Sequence, residues 1–190
     1  MPLVGWPGGA LTRYHDRDFD PVFYGRAARW RFDAPDGRFG VMYAGDAIGA
    51  FAESWLRQPR GSLLPADRLR QRSCSVLVPS RPLRLVDLAG AGLARLGLTA
   101  AVFAVSDYAE TQALAAALHD HGDAPDGLLY RSRHDPEGFC VALFDRAPTF
   151  DPGVPWRDPP PGSRESLASR DWFLDLMDRY EVGLSPGAAP

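Results

Sequence analysis

The residues best suited to ligand binding or catalysis are an arginine pair, Arg29 and Arg31, followed by Tyr43 and then by Glu53. Arginine holds planar anions such as phosphate and carboxylate through a rigid fork of donors. Glu53 lies away from the centre of the apolar face of a predicted helix, so its carboxylate can point into a cleft. Taken singly, each residue has a plainer explanation: Arg31 as a surface partner of Asp33, Tyr43 as a strand aromatic, and Glu53 as a solvent-exposed helix glutamate.

Ser132 lies in a predicted strand-to-strand loop, between Arg131 and Arg133 and close to His134. No G-x-S-x-G elbow surrounds it, so a nucleophilic triad is not favoured. The alternative is ordinary turn chemistry, which serine often provides.

Several absences narrow the chemistry. The chain contains no lysine, so a mechanism that needs a lysine Schiff base or a P-loop lysine is excluded. Cys74 and Cys140 are too few for a disulfide framework or a zinc site, and the four histidines show no metal-ligand spacing. We therefore expect no metal and no prosthetic group. A net charge of -3 argues against a broad basic surface for nucleic acid.

The elements that must position these residues follow from local patterns. A strand is predicted over Phe39 to Ala44, with Tyr43 near its end. Asp46 follows in the N-cap position of a helix predicted over Ala47 to Gln58. Further strands are predicted over Ser73 to Val78, Leu83 to Val86, Gly127 to Tyr130 and Phe139 to Phe144. Asp107 should cap a helix over Tyr108 to Asp120, and a short, glycine-broken helical stretch should follow Asp87. The first 25 residues are expected to form a loop.

This mixture of strands and helices without regular alternation predicts an α+β fold with mostly antiparallel sheets and short helices. A chain of 190 residues fits one domain. We expect the domain to span residues 1–148, followed over 149–190 by a proline-rich linker, a helix over Ser166 to Tyr180 that packs on the domain, and a frayed tail. With neither a signal peptide nor a long apolar run in view, a cytoplasmic protein with no membrane contact is expected.

Taken together, the segments resemble the RES domain family, named for an Arg, a Glu and a Ser. Residues 29–55 (RWRFDAPDGRFGVMYAGDAIGAFAESW) resemble its N-terminal motif, residues 81–90 its middle segment, and residues 107–118 and 126–146 its C-terminal half. The three name-giving residues fall on Arg31, Glu53 and Ser132. Many members have Gly-Gly-Arg-Trp-Asn where this chain has Ala28-Arg29-Trp30-Arg31-Phe32-Asp33, so Arg29 remains the alternative to Arg31.

The resemblance implies an ADP-ribosyltransferase-like fold and NAD+ as substrate rather than as cofactor. It implies catalytic roles for Arg31, Glu53 and Ser132, and NAD+ contacts for Arg13, Arg29 and Tyr43. Glu53 would stabilise the cation that forms on the ribose, Tyr43 would stack on nicotinamide, and Ser132 would orient the ribose or the nicotinamide amide.

The resemblance also implies partners and alternatives. Many family members are toxins of bacterial toxin–antitoxin pairs, neutralised by an Xre-type antitoxin. We expect cleavage of the nicotinamide–ribose bond, by hydrolysis or phosphorolysis. Transfer of ADP-ribose to a protein, or a non-catalytic nucleotide-binding module of the same fold, are the alternatives. The apolar side of the last helix is a candidate homodimer or antitoxin contact, although packing on its own domain is favoured.

Overall fold

The protein is described by a computed structural model that covers residues 1–57, 63–104, 107–151, 167 and 170–185. Within these ranges the strands are β1 (Leu3–Val4), β2 (Leu11–Asp16), β3 (Val41–Gly45), β4 (Leu64–Pro65), β5 (Arg72–Pro79), β6 (Leu85–Leu88), β7 (Gly127–Arg131), β8 (Phe139–Phe144), β9 (Phe150–Asp151) and β10 (Leu184–Ser185). The helices are α1 (Ala47–Trp55), α2 (Ala66–Arg70), α3 (Ala91–Arg95), α4 (Ala109–His119) and α5 (Asp171–Arg179), with a 3-10 turn over Ala100–Phe103.

In the described part of the chain, one large sheet has the strand order β1-β6-β7-β8-β3-β2-β5-β9. Its neighbours pair antiparallel except β6 and β7, which run parallel. That parallel pair needs a long crossover, and α3, the 3-10 turn and α4 supply it. A second pair, β4 with β10, is parallel. The α+β fold of mostly antiparallel strands, expected from the sequence, is confirmed.

Buried side chains cover both faces of the sheet. One core cluster centres on Phe32, Phe39 and Phe144 beneath α4. A second lies around Met42 and Leu143. A third apolar cluster joins α1 to α5, where Phe51 and Phe173 are fully buried. Burying one such side chain stabilises the fold by about 1.5–3 kcal/mol, so α5 is firmly held to α1.

The start of α1 is fixed against the start of β8 by Asp46. Its Oδ1 accepts from the Gly49 N–H at 2.6 Å, as an N-cap should, and its Oδ2 accepts from the Phe139 N–H at 3.0 Å. Position 49 must be glycine, because a Cβ there would lie 2.4 Å from the Phe139 carbonyl oxygen. This close approach brings the residues after Asp46 next to the loop that precedes β8.

The expectation that the first 25 residues form a loop is wrong. β2 lies inside the large sheet, between β3 and β5, and its six residues pair with β5 from Leu11 to Asp16. The glycines and prolines around it are typical of turns, but a six-residue strand needs only its own alternation and two neighbours to pair with. β2 carries Arg13, one of the residues that the family resemblance places in the binding site.

Other predicted boundaries shift by a few residues. The helix predicted from Tyr108 begins at Ala109, and Asp107 accepts from the Ala109 N–H at 3.0 Å one position before the N-cap. The strand predicted over Phe39 to Ala44 runs over Val41–Gly45. The helix predicted to reach Gln58 ends at Trp55, and the last helix, predicted from Ser166, begins at Asp171. Most of the predicted linker lies outside the described residues.

The predicted frayed tail is described only to residue 185, and it begins with β10, which pairs with β4. Among the described helices, none is long and apolar enough to cross a membrane.

Candidate functional site

A cavity of about 340 Å³ opens beside the central strands of the sheet. Its walls come mainly from β2, the segment between β2 and β3, β3 itself and α1, with single residues from α2, β5, β7 and β8 and the residue before α4. The charged side chains on its wall are Arg13, Asp16, Asp20, Arg31, Glu53, Arg57, Arg68 and Arg72. Basic groups therefore outnumber acidic ones, five to three, on the lining. Such a cavity favours an anionic ligand.

Arg31 is held inside this cavity wall. It is 6% exposed, and its guanidinium lies 5.9 Å from the Phe32 ring and 6.0 Å from the Tyr108 ring. Its buried Nε finds no hydrogen-bond acceptor among the described residues. A buried donor without an acceptor is costly in a folded protein, so this guanidinium is prepared for an anion that enters the cavity.

The loop that carries Arg31 is fastened by Asp33, a residue that is 2% exposed. One carboxylate oxygen, Oδ2, accepts from the N–H groups of Arg29 and Trp30, each at 2.9 Å. The other oxygen, Oδ1, accepts from the Tyr43 hydroxyl at 2.9 Å. Asp33 thus closes a tight turn around Arg31 and ties it to β3, instead of pairing with the Arg31 guanidinium.

α4 holds the same loop through Gln112. The Gln112 side-chain amide donates to the carbonyl oxygens of Ala28 at 3.1 Å and Trp30 at 3.0 Å. Ala28 has a positive φ of 52°, a left-handed conformation that a non-glycine residue keeps only when its surroundings fix it. The Arg31 loop is therefore a rigid feature of the cavity.

Tyr43 lies on the cavity wall, and its hydroxyl is fully used. It donates to Asp33 and accepts from the Phe32 N–H at 2.9 Å. Burial first, and then the neighbouring Asp33 carboxylate, raise the pKa of Tyr43 well above its ordinary value. The hydroxyl is thus a neutral link between β3 and the Arg31 loop.

Arg13 provides a second guanidinium from β2. Its Nη2 donates to the Phe23 carbonyl oxygen at 3.1 Å, while its buried Nε and Nη1 have no acceptor in the described part of the chain. Burial lowers the pKa of Arg13 to about 10. The side chain is therefore still charged at neutral pH, and two of its nitrogens are available to a ligand.

Glu53 supplies the carboxylate of the site, and its side chain is 15% exposed. Its Oε1 accepts from the Ser132 hydroxyl at 3.0 Å and from the Arg133 N–H at 3.2 Å. Its Oε2 lies 3.5 Å from Nη2 of Arg57, one helical turn further along. One edge of the carboxylate is thus fixed by the protein, and the side chain still reaches the cavity.

Ser132 lies behind Glu53 and is 2% exposed. Its hydroxyl donates to Glu53, and it accepts from the His134 N–H at 3.1 Å. Ser132 is not part of the cavity lining. With its proton directed at a carboxylate, this serine is arranged to position Glu53.

Arg29 lies elsewhere. Its side chain is exposed and does not line the cavity, and its only hydrogen bond to the described residues is through its backbone N–H to Asp33. The structure therefore brings together Arg13, Arg31, Tyr43 and Glu53 on the lining of one cavity, with Ser132 hydrogen-bonded to Glu53 outside that lining. It leaves Arg29 outside.

Sequence reasoning missed two kinds of residue. The sequence suggests Asp33 only as a surface partner of Arg31 and does not single out Gln112, because an Asp after a Phe and a Gln on a helix carry no signal of the loop contacts that they make. The second kind is a set of three further arginines that line the cavity: Arg57, Arg68 and Arg72. Burial, and then repulsion from Arg72 and Arg57, lower the pKa of Arg68. No group of three or more His, Cys, Asp or Glu side chains that could hold a metal ion occurs in the described ranges.

The fold and the cavity together define an α+β protein of mostly antiparallel strands, with an arginine-rich site that contains the fixed carboxylate of Glu53. The family model of the RES domain matches residues 10–162. The chain therefore belongs to the RES domain family.

One solved structure is similar in fold. It is the MbcT toxin in the crystal structure of the M. tuberculosis MbcT–MbcA toxin–antitoxin complex, with a TM-score of 0.58 and 20% sequence identity. The match covers 75% of this chain and 76% of that one. No curated protein sequence matches the chain.

Proposed function

We propose that this protein binds NAD+ in the described cavity and cleaves its nicotinamide–ribose bond, as the toxin of a toxin–antitoxin pair. The observation that carries the proposal is the meeting of two incompletely paired guanidiniums, Arg13 and Arg31, with the fixed carboxylate of Glu53 on one cavity wall. Membership of the RES domain family supports the same reading.

The two arginines suit the pyrophosphate of a dinucleotide. Charge-assisted hydrogen bonds from a guanidinium to a phosphate are short and about twice as strong as neutral ones. The unpaired Nε and Nη1 of Arg13 and the buried Nε of Arg31 offer such donors to a ligand in the cavity. A cavity of about 340 Å³ is within the size range of small-molecule sites.

Glu53 suits the chemical step. The bond from the ribose C1′ to the nicotinamide nitrogen breaks, the bonding pair leaves with nicotinamide, and positive charge develops on the ribose ring. A fixed carboxylate stabilises that charge without having to reorient. Water, phosphate or a protein nucleophile then bonds to C1′, and a water or protein nucleophile loses a proton. Since nicotinamide leaves as a neutral molecule, neither lysine nor metal is required.

Ser132 and Arg133 contribute by holding one oxygen of Glu53 in place. We therefore assign Ser132 to positioning of the carboxylate, in place of the direct ribose or amide contact expected from the sequence. Tyr43 contributes its ring to the cavity wall and its hydroxyl to the Arg31 loop.

The test compares two neighbouring arginines. Purified wild type, Arg31→Gln and Arg29→Gln are incubated with NAD+, with and without inorganic phosphate, and the products are separated by chromatography. Arg31→Gln should lower kcat/KM by at least about 10-fold, since a hydrogen bond to a charged group contributes about 1.5–3 kcal/mol. Arg29→Gln should behave like wild type, and equal turnover in all three proteins would refute the assignment.

The products distinguish the reactions. Free ADP-ribose indicates hydrolysis, its 1-phosphate indicates phosphorolysis, and label retained on a protein indicates transfer. Bound but intact NAD+ would favour a non-catalytic module of the same fold.

The toxin role is tested in cells. Expression of the wild-type chain should lower cellular NAD+ and arrest growth, and co-expression of an adjacent gene for an Xre-type protein should restore both. Growth arrest without loss of NAD+ would separate toxicity from the proposed reaction. Gel filtration of the purified chain tests the homodimer that the sequence left open.

A further inference from the structure

α5 contacts both elements that determine where Glu53 lies. These elements are α1, which carries Glu53, and the loop from Ser132 to Gly138, which holds the Glu53 carboxylate. α5 lies beyond residue 162, where the match to the RES domain ends. Because α5 contacts both elements, its position can affect where the Glu53 carboxylate lies.

The contact with α1 is aromatic and includes Tyr180, the C-cap residue that directly follows α5. The Tyr180 ring stacks on the Phe51 ring, with the centroids 5.4 Å apart and the planes 13° from parallel. Phe173 meets Phe51 at 5.5 Å and Trp55 at 5.6 Å, both edge to face. These rings fix the rotation and height of the helix turn that presents Glu53 to the cavity.

The contact with the loop is polar. The Tyr180 hydroxyl donates to Oδ2 of Asp135 at 2.5 Å. Oδ1 of the same carboxylate accepts from the Glu137 N–H at 2.9 Å, which closes the turn inside the loop. The Tyr180 hydrogen bond lowers the pKa of Asp135, so this carboxylate remains charged and remains a strong acceptor at neutral pH.

The loop transmits this contact to Glu53 over a short distance. Asp135 lies two residues from Arg133, whose N–H donates to Glu53, and three from Ser132, whose hydroxyl does the same. The Asp135 N–H itself points to the Ser132 hydroxyl oxygen at 3.4 Å. A shift of Asp135 therefore moves both donors that fix the carboxylate.

We propose that Tyr180 is a positioning residue for Glu53, acting through its ring on α1 and through its hydroxyl on the Ser132 loop. This role rests on the proposed function, in which Glu53 stabilises the ribose cation. Tyr180 is absent from the cavity lining, so its proposed role is to position Glu53 and not to contact a ligand.

The test removes the hydroxyl alone, with Tyr180→Phe, which keeps the ring stack. Asp175→Asn, an exposed change on the same helix, is the matched control. Amide hydrogen exchange of Arg133 and steady-state kinetics with NAD+ are measured on both variants, on Ser132→Ala and on the Tyr180→Phe/Ser132→Ala double variant. Thermal melts correct each rate for the folded fraction.

Tyr180→Phe should speed exchange of the Arg133 amide and lower kcat by about threefold to tenfold, with KM for NAD+ little changed. In the Ser132→Ala background the same change should have a clearly smaller effect, because both act through one carboxylate. Asp175→Asn should match wild type.

Three results would overturn the proposal: unchanged Arg133 exchange in Tyr180→Phe, a kcat equal to wild type, or full additivity with Ser132→Ala. The exchange measurement needs no substrate. Protection lost at Arg133 in a protein that leaves NAD+ intact would therefore support the positioning role while refuting the proposed reaction, and the two failures remain distinguishable.

Discussion

Replacing Asp33 by alanine removes the fastening of the Arg31 loop without touching any cavity arginine. The carboxylate accepts two backbone N–H groups and the Tyr43 hydroxyl, all at 2.9 Å, and it is 2% exposed. A buried donor left without its acceptor costs about 1–3 kcal/mol. Trp30 and Arg29 are exposed, so water can reach their N–H groups and replace part of the loss.

We therefore expect Asp33→Ala to lower the free energy of unfolding by about 2–4 kcal/mol. For a chain of this size that corresponds to a fall in Tm of roughly 5–15 °C. The released loop no longer holds Arg31 against the cavity, so NAD+ binding should weaken by about 10-fold or more through loss of a charge-assisted hydrogen bond.

The assay combines calorimetric melts with isothermal titration of NAD+. Asp36→Ala is the control, because Asp36 lies in the same loop, is exposed, and accepts a hydrogen bond from the Arg38 N–H at 3.2 Å. An Asp33→Ala protein that melts like the Asp36→Ala protein and binds NAD+ as tightly would refute the account of this loop.

Three further outcomes follow from the site. Glu53→Gln should lower kcat at least about 100-fold with little change in NAD+ affinity, measured by product chromatography and titration, since its charge acts mainly on the transition state; a loss confined to KM would contradict this. Ser132→Ala should lower kcat by about 10-fold, the effect of one hydrogen bond to a charged group, while Ser80→Ala, at an exposed serine outside the cavity lining, serves as its control. His15→Gln should flatten the fall in Tm between pH 7 and 5. Burial is the main cause of the lowered pKa of His15 in the folded protein. As the pH falls, the unfolded chain therefore binds a proton at this histidine near pH 6.5, whereas the folded protein binds it only at lower pH. The free energy of unfolding of the wild type thus decreases as the pH falls through this window. An equal pH slope in both proteins would contradict that sign.

Local patterns were sufficient for elements whose cause lies within a few residues. β8 runs over Phe139–Phe144 as its apolar run predicts, and α1 begins after Asp46 because an aspartate there can accept from the Gly49 N–H. The family resemblance likewise depended on segments of 10 to 27 residues, and the match over residues 10–162 confirms it. Spacing also allowed Glu53 to face a cleft, because its angle around α1 differs from that of the buried Phe51, but the choice of Glu53 as a site residue came from the family resemblance.

Only the tertiary structure decided which groups meet. Glu53 and Ser132 are 79 residues apart, and they are hydrogen-bonded because α1 follows β3 and β3 pairs with β8. Arg13 reaches the cavity because β2 is paired into the sheet beside β3, which no local pattern in its loop-like surroundings indicated. Arg31 and Arg29 have the same chemistry and are two positions apart, and only the turn closed by Asp33 turns one inward and leaves the other in solvent. Strand and helix preferences act over a few residues, whereas the partner of a buried charge is set by the order of strands in the sheet.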